Sequence, residues 1–170
     1  MFRDTLRSMN LYVNGKGYAG VIDELVLPKL TLKTEEYRAG GMDMPIELDM
    51  GMEKLETSFT LSKFDKSLLS SYGLMQGNRE LLPLTIRGSV FSEEDGSEIP
   101  VIISMNGMVK ELDFGTWKSG ENATLKATVS LRYYKLQRDG EEIHEIDVAN
   151  MVRKINGVDQ LEQTRKNIGL

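Results

Sequence analysis

Ala123-Thr124-Leu125-Lys126-Ala127-Thr128-Val129-Ser130-Leu131-Arg132-Tyr133 is the stretch on which the fold turns. Ala123, Leu125, Ala127, Val129, Leu131 and Tyr133 alternate with Thr124, Lys126, Thr128, Ser130 and Arg132, the period of a strand with one buried face. At ~3.3 Å per residue this strand is roughly 40 Å long, whereas most strands stop after about five or six residues. Working outward, Val101, Ile103, Met105 and Val109 alternate with Ser104, Asn106 and Lys110 in a second long segment. Leu82, Leu84, Ile86 and Val90 form a third, and Leu55, Phe59 and Leu61 a fourth. Shorter strands are predicted near Leu11–Val13, Val21–Leu27, Lys29–Thr34 and Glu142–Asp147.

Turn chemistry separates these runs. Asn14-Gly15-Lys16-Gly17 reads as a hairpin, and Asp95-Gly96 and Asp139-Gly140 as tight turns. Phe114–Gly120 is a longer Gly-containing connection. Ser62 is expected to cap a helix running to about Tyr72, with Gly73 beyond its end, and Asp159 to cap Gln160–Asn167. The expected architecture is therefore one mainly β domain spanning 1–170. It is an antiparallel sandwich or half-open barrel with one packed helix, a long extended loop and a short C-terminal helix.

The chain has 170 residues, 40% hydrophobic and 28% charged, enough for a single core without staples. Its net charge of −5 argues against a nucleic-acid binder, which needs clustered Lys and Arg to neutralise phosphates. With no cysteine there is neither a disulfide framework nor thiolate chemistry. The segment Met1–Arg7 lacks the apolar run of a signal peptide and no stretch approaches a membrane span, so folding in the cytoplasm and no membrane insertion of the monomer are expected.

No reactive constellation assembles on paper. His144 is the only histidine; with Glu142 on its strand face it falls short of a three-ligand metal site, and a solvated face is the expectation. The acidic run Ser92–Glu98 lacks the ligand register of a calcium loop, and Gly15-Lys16-Gly17 lacks the span and helix of a phosphate loop. Trp117, Tyr133 and Tyr134 are expected in core and cross-strand packing. The expectation is a non-enzyme without cofactor or metal.

Two segments do not belong to a self-contained domain. Residues 34–52 contain an aperiodic centre, paired glycines and four of the ten methionines (Met42, Met44, Met50 and Met52), a side chain suited to adaptable contact surfaces. Residues 148–170 are polar with widely spaced apolar anchors at Val152, Ile155, Val158, Leu161 and Ile168.

The run Leu25–Leu30, then Lys33-Thr34-Glu35-Glu36-Tyr37-Arg38-Ala39-Gly40-Gly41-Met42-Asp43, resembles the major tail tube proteins of contractile-tailed phages, with the closest likeness to the tube protein of R-type pyocins. The likeness continues through Ile46–Gly51, Lys110–Asp113, Trp117–Glu121, Tyr133–Leu136 and Ile155–Leu161. It implies homohexameric rings stacked into a hollow tube, with strands of neighbouring subunits joined into one continuous barrel. It also implies a separate contractile sheath protein, a tape-measure protein in the lumen during assembly, and baseplate and tail-terminator proteins. DNA passes through only if the particle is a phage tail, and no specific nucleic-acid binding is implied. Assembly in the bacterial cytoplasm would end in a virion tail or a released bacteriocin particle.

Physical reasons accompany this picture. Long alternating strands leave edges that must be paired or covered, and a barrel of many strands encloses a channel. Within it, residues 34–52 are the expected inter-subunit arm, with contacts from Glu36, Tyr37, Arg38, Ala39, Gly40, Gly41, Met42, Asp43, Met44, Met50 and Met52. Arg38 offers a bidentate charge partner and Gly40-Gly41 a close backbone approach. Val158, Leu161 and Ile168 are the expected contacts of the C-terminal segment 148–170. Thr124, Thr128 and Ser130 are expected to face the lumen. The competing expectations are a type VI secretion-like tube protein and a monomeric ligand-binding β-sandwich.

Overall fold

The computed structural model describes residues 1–73 and 81–170. The strands are β1 (Asp4–Val13), β2 (Lys16–Gly17), β3 (Ile22–Val26), β4 (Leu32–Tyr37), β5 (Ile46–Met52) and β6 (Leu55–Leu61), followed by helix α1 (Lys66–Leu69). Then come β7 (Leu82–Ser92), β8 (Glu98–Asp113), β9 (Leu125–Arg138), β10 (Glu141–Asp147), β11 (Val152–Ile155), β12 (Val158–Asp159) and helix α2 (Glu162–Asn167). All strand pairs are antiparallel, with the order β12-β11-β10-β9-β8-β7-β1-β2 in the main sheet.

The predicted long strand is the spine of the molecule because it forks. Its first half pairs with β6, from Leu55↔Leu131 to Leu61↔Leu125, and its second half pairs on the same side with β10, from Asp147↔Tyr133 to Glu141↔Arg138. β3 extends the first branch through β6, and β11 and β12 extend the second. Along its other edge β9 pairs with β8, which shifts register between Asn106 and Gly107 so that Arg132 has no partner. Such a bulge bends and twists the sheet, and Gly107 is needed there: a Cβ would lie 2.4 Å from the Ser130 carbonyl oxygen. The bend folds the two branches over one core. Leu125, Ala127, Val129 and Leu131 face it along with Phe59, Leu61, Val109, Leu84, Met105, Leu11 and Leu68. The order of the main sheet ends at β12 and β2 without returning on itself, so the described residues form a sandwich and no closed barrel.

Three local expectations are corrected. The helix from Ser62 to Tyr72 is a single turn, Lys66–Leu69, with Asp65 at its cap position. Ser62 instead donates to the Val21 carbonyl at 3.1 Å, and Phe64, half-buried against the core, also meets the rings of Phe114 and Trp117. The C-terminal helix starts at Glu162, because Asp159 belongs to β12 and its carboxylate accepts from Leu161 and Arg165. Residues 34–52 are a hairpin of β4 and β5 around residues 38–45, and not an extended loop.

Candidate functional site

The β4–β5 hairpin forms a two-stranded sheet separate from the main one, and every residue of β4 is exposed. Two-stranded hairpins are marginal in water unless something packs on them. The register Glu35↔Leu48, Glu36↔Glu47 and Tyr37↔Ile46 gives the arm two unlike faces. Tyr37, Ile46, Leu48 and Met50 make an exposed apolar stripe on one, interrupted by Glu35, while Thr34, Glu36, Glu47 and Asp49 occupy the other.

At the tip, Arg38 spends donors inside its own loop: Nε donates to the Met42 carbonyl at 3.3 Å and Nη2 to the Asp43 carbonyl at 3.0 Å. The expected bidentate charge partner is thus, in the isolated chain, the organiser of the turn. Of the glycine pair, Gly41 has φ +88°, which a side chain disfavours, while Gly40 does not need the left-handed region. The methionines divide. Met42 folds back with its sulfur accepting from the Ala39 amide, Met44 and Met50 point outward, and Met52 packs against the core.

At its base the arm is clamped by one ion pair, Arg153 Nη2 to Asp49 Oδ2 at 2.8 Å. The Gly51 amide and then Arg153 hold the Asp49 carboxyl below the usual carboxylate range. Arg153 lies on β11 opposite Ile146, in a hairpin turned by Asn156-Gly157 with φ of 50° and 81°. That Asn-Gly signal is present in the sequence, and it makes β11 and β12 part of the sheet where only spaced anchors were expected. Of those anchors Val158 and Ile168 are exposed and Leu161 is half-buried. Arg165 fastens α2 by donating to the Met151 carbonyl at 2.8 Å and to Asp159 at 2.5 Å.

Thr128 and Ser130 point away from the core face, and Thr124 immediately precedes β9. Their neighbours on that side are Ser58 and Glu56 of β6, and Glu56 is ion-paired with Lys110 and with Lys54 at 3.0 Å. Hydrogen bonds from Lys110 and then Lys54 hold the Glu56 carboxyl down. The face is polar: Glu56 is paired, and Lys126 stands exposed on the same side of β9.

Trp117 was expected in packing and is 72% exposed. Its ring lies 5.6 Å from Phe64, which meets Phe114 edge-on at 6.1 Å. Local sequence marks three aromatics but not their meeting on the surface, which depends on the turn at Ser62–Asp65. Beneath them Asp65 is buried, accepting from Lys16 at 2.8 Å and from the Tyr18 hydroxyl. Burial raises the Asp65 carboxyl, but the Lys16 and Tyr18 hydrogen bonds outweigh it and leave it below its ordinary value.

His144 does not share its surroundings with Glu142. A register shift sets Glu142 opposite Gln137 and His144 opposite Leu136, and Glu142 pairs with Lys135 at 3.4 Å. Among the described residues no group of His, Cys, Asp or Glu is arranged to hold a metal, and no helix is long and apolar enough to cross a membrane.

The described residues thus form a β-sandwich whose distinctive surface is a hairpin outside the main sheet, tied to the body at its base. The model of the family "Phage tail tube protein FII" matches residues 3–169, and the chain belongs to that family, a structural tail tube protein and not an enzyme. It is 39% identical over 167 residues to the tail tube protein of Escherichia phage P2, covering 97% of this chain and 96% of that one. It is 32% identical over 154 residues to the major tail tube protein of Serratia phage KSP20, covering 89% and 87%. In fold it resembles the sheath/tube terminator of the PVC extracellular contractile injection system, with a TM-score of 0.59 at 14% identity over 81% of this chain and 98% of the other. The anti-feeding prophage tube-terminating cap has the same TM-score and identity, covering 76% and 87%.

Proposed function

We propose that this chain forms hexameric rings that stack into the inner tube of a contractile phage tail or R-type pyocin, enclosing a channel for DNA ejection or membrane permeabilisation. The observation that carries this reading is the arm. A hairpin with Tyr37, Ile46, Leu48 and Met50 exposed, outside the main sheet, gains most of its packing from another subunit. A head-to-tail contact of that kind extends into a filament instead of closing. Residues 34–52 are the inter-subunit arm and residues 148–170 a second contact segment, with Val158 and Ile168 outward. Thr124, Thr128 and Ser130 supply a wet, non-adhesive lumen wall around the tape-measure protein during assembly. A sheath protein surrounds the tube, baseplate and terminator proteins close its ends, and assembly takes place in the bacterial cytoplasm.

The test is deletion of Ala39–Asp43, with Arg38→Glu as a second variant, followed by electron microscopy. Loss of tubes from folded subunits is expected. Tubes of normal length after the deletion would remove the arm from the reading.

A further inference from the structure

The strand registers place the arm and the aromatic cluster at opposite ends of the subunit. β6 runs toward Leu125, and both Phe64 and the Phe114–Asn122 connection lie at that end of the spine. The arm enters β6 from the other side. Its Asp49 reaches Arg153, which stands opposite Ile146 and through it Tyr134, three residues beyond Leu131 along β9. The hairpin therefore runs away from Trp117.

The two ends are also chemically complementary. Glu35, Glu36, Asp43 and Glu47 are exposed around the tip, against one cation, Arg38. Around the aromatic cluster, Lys63, Lys66 and Lys118 are exposed against Glu121 and Asp113, while Asp65 is buried and matched by Lys16. Met44, 70% exposed, and Tyr37, 50% exposed, are side chains that pack well on aromatic rings.

We propose that the arm tip of one copy seats on the Phe64, Phe114 and Trp117 cluster of the next copy along the tube. Met44 and Tyr37 lie against the rings, while Glu35, on the same face as Tyr37, and Asp43 at the tip face Lys63, Lys66 and Lys118. This rests on the arm reading above and names the surface that receives it. Because donor and acceptor sit at opposite ends, each copy offers one free tip and one free cluster, so the contact repeats without limit.

Trp117 is the single tryptophan of the chain, so its emission reports on the acceptor directly. In tubes of the purified, unmodified chain, acrylamide quenching of Trp117 should fall several-fold relative to free subunits. Equal quenching in the two states would overturn the proposal. The triple charge reversal Lys63→Glu, Lys66→Glu and Lys118→Glu should give folded subunits without tubes, and adding Glu35→Lys and Asp43→Lys should restore them. Normal tubes from the lysine variant, or loss that the arm reversal does not restore, would also overturn it. The arm reading fails separately: only tubes of normal length after deletion of Ala39–Asp43 would sink that.

Discussion

Arg153 Nη2 lies 2.8 Å from Asp49 Oδ2 across 104 positions of sequence, and among the described residues no other ion pair ties the arm to the body. The C-terminal hairpin thus sets the direction in which the arm leaves the subunit. A clamp of this kind contributes little to global stability, because its aspartate is solvated and screened. Its effect lies in pre-organisation: an arm held near its bound direction loses less freedom on docking. Asp49→Asn should therefore leave the melting temperature unchanged, accelerate hydrogen exchange across Ile46–Met52 and slow tube growth, whereas Arg153→Ala, whose side chain is only 12% exposed, should also lower the melting temperature. Unchanged exchange and growth rates would show that the ion pair does not position the arm.

The buried carboxylate at the aromatic end makes stability fall in acid. Asp65 has a folded-state value below its unfolded value of ~3.9, so its contribution is fully present above that pH and disappears as pH falls through the folded value. Asp65→Asn removes the ion pair with Lys16 and should cost about 1–3 kcal/mol at neutral pH. The same variant should lose less stability than the parent between roughly pH 4 and pH 2. Denaturant titrations at several pH values check both parts, and parallel acid losses in the two proteins would remove Asp65 from the account.

Gly107 and Gly40 should behave oppositely. A Cβ on Gly107 would meet the Ser130 carbonyl oxygen at 2.4 Å and Val129 Cγ1 at 2.8 Å, at the bulge that bends the spine. Gly107→Ala should destabilise by about 2 kcal/mol or more. Gly40 has no atom within 4 Å of the added carbon, so Gly40→Ala should be neutral for folding. Thermal melts of the two variants make the comparison.

The body of the fold was legible because its strands bury one face each, which imposes the period of two on β6, β7, β8 and β9. The Asp-Gly turns at Asp95 and Asp139 mark two of their joins. The arm was legible only as an anomaly. Ile46, Leu48, Met50 and Met52 do alternate, but neither face of the hairpin is covered by its own chain, so no burial pattern announces the pairing with β4. The surface position of Trp117 was illegible for a different reason. It depends on how Ser62–Asp65 turns, and that turn is decided by Lys16 and Tyr18, more than forty residues away.

The outward face of β9 yields the last prediction. Thr128 and Ser130 stand beside Ser58 and Glu56, and Glu56 is paired with Lys54 and Lys110, while Lys126 is exposed on the same face. A wall rich in hydroxyls holds water and offers passing cargo little apolar surface to stick to, as a channel requires. The chain has no cysteine, so Thr128→Cys and Ser130→Cys each introduce a unique thiol at a site where the native side chain is small and half-buried. Free subunits should react with a small maleimide at both positions. Assembled tubes should still react with the small reagent, which enters the lumen, and resist one too bulky to enter. Labelling of intact tubes by the bulky reagent would place this face on the outside, under the sheath. Protection from both reagents would place it between subunits. The size dependence of labelling therefore discriminates among the three positions, and only entry of the small reagent alone fits a lumen wall.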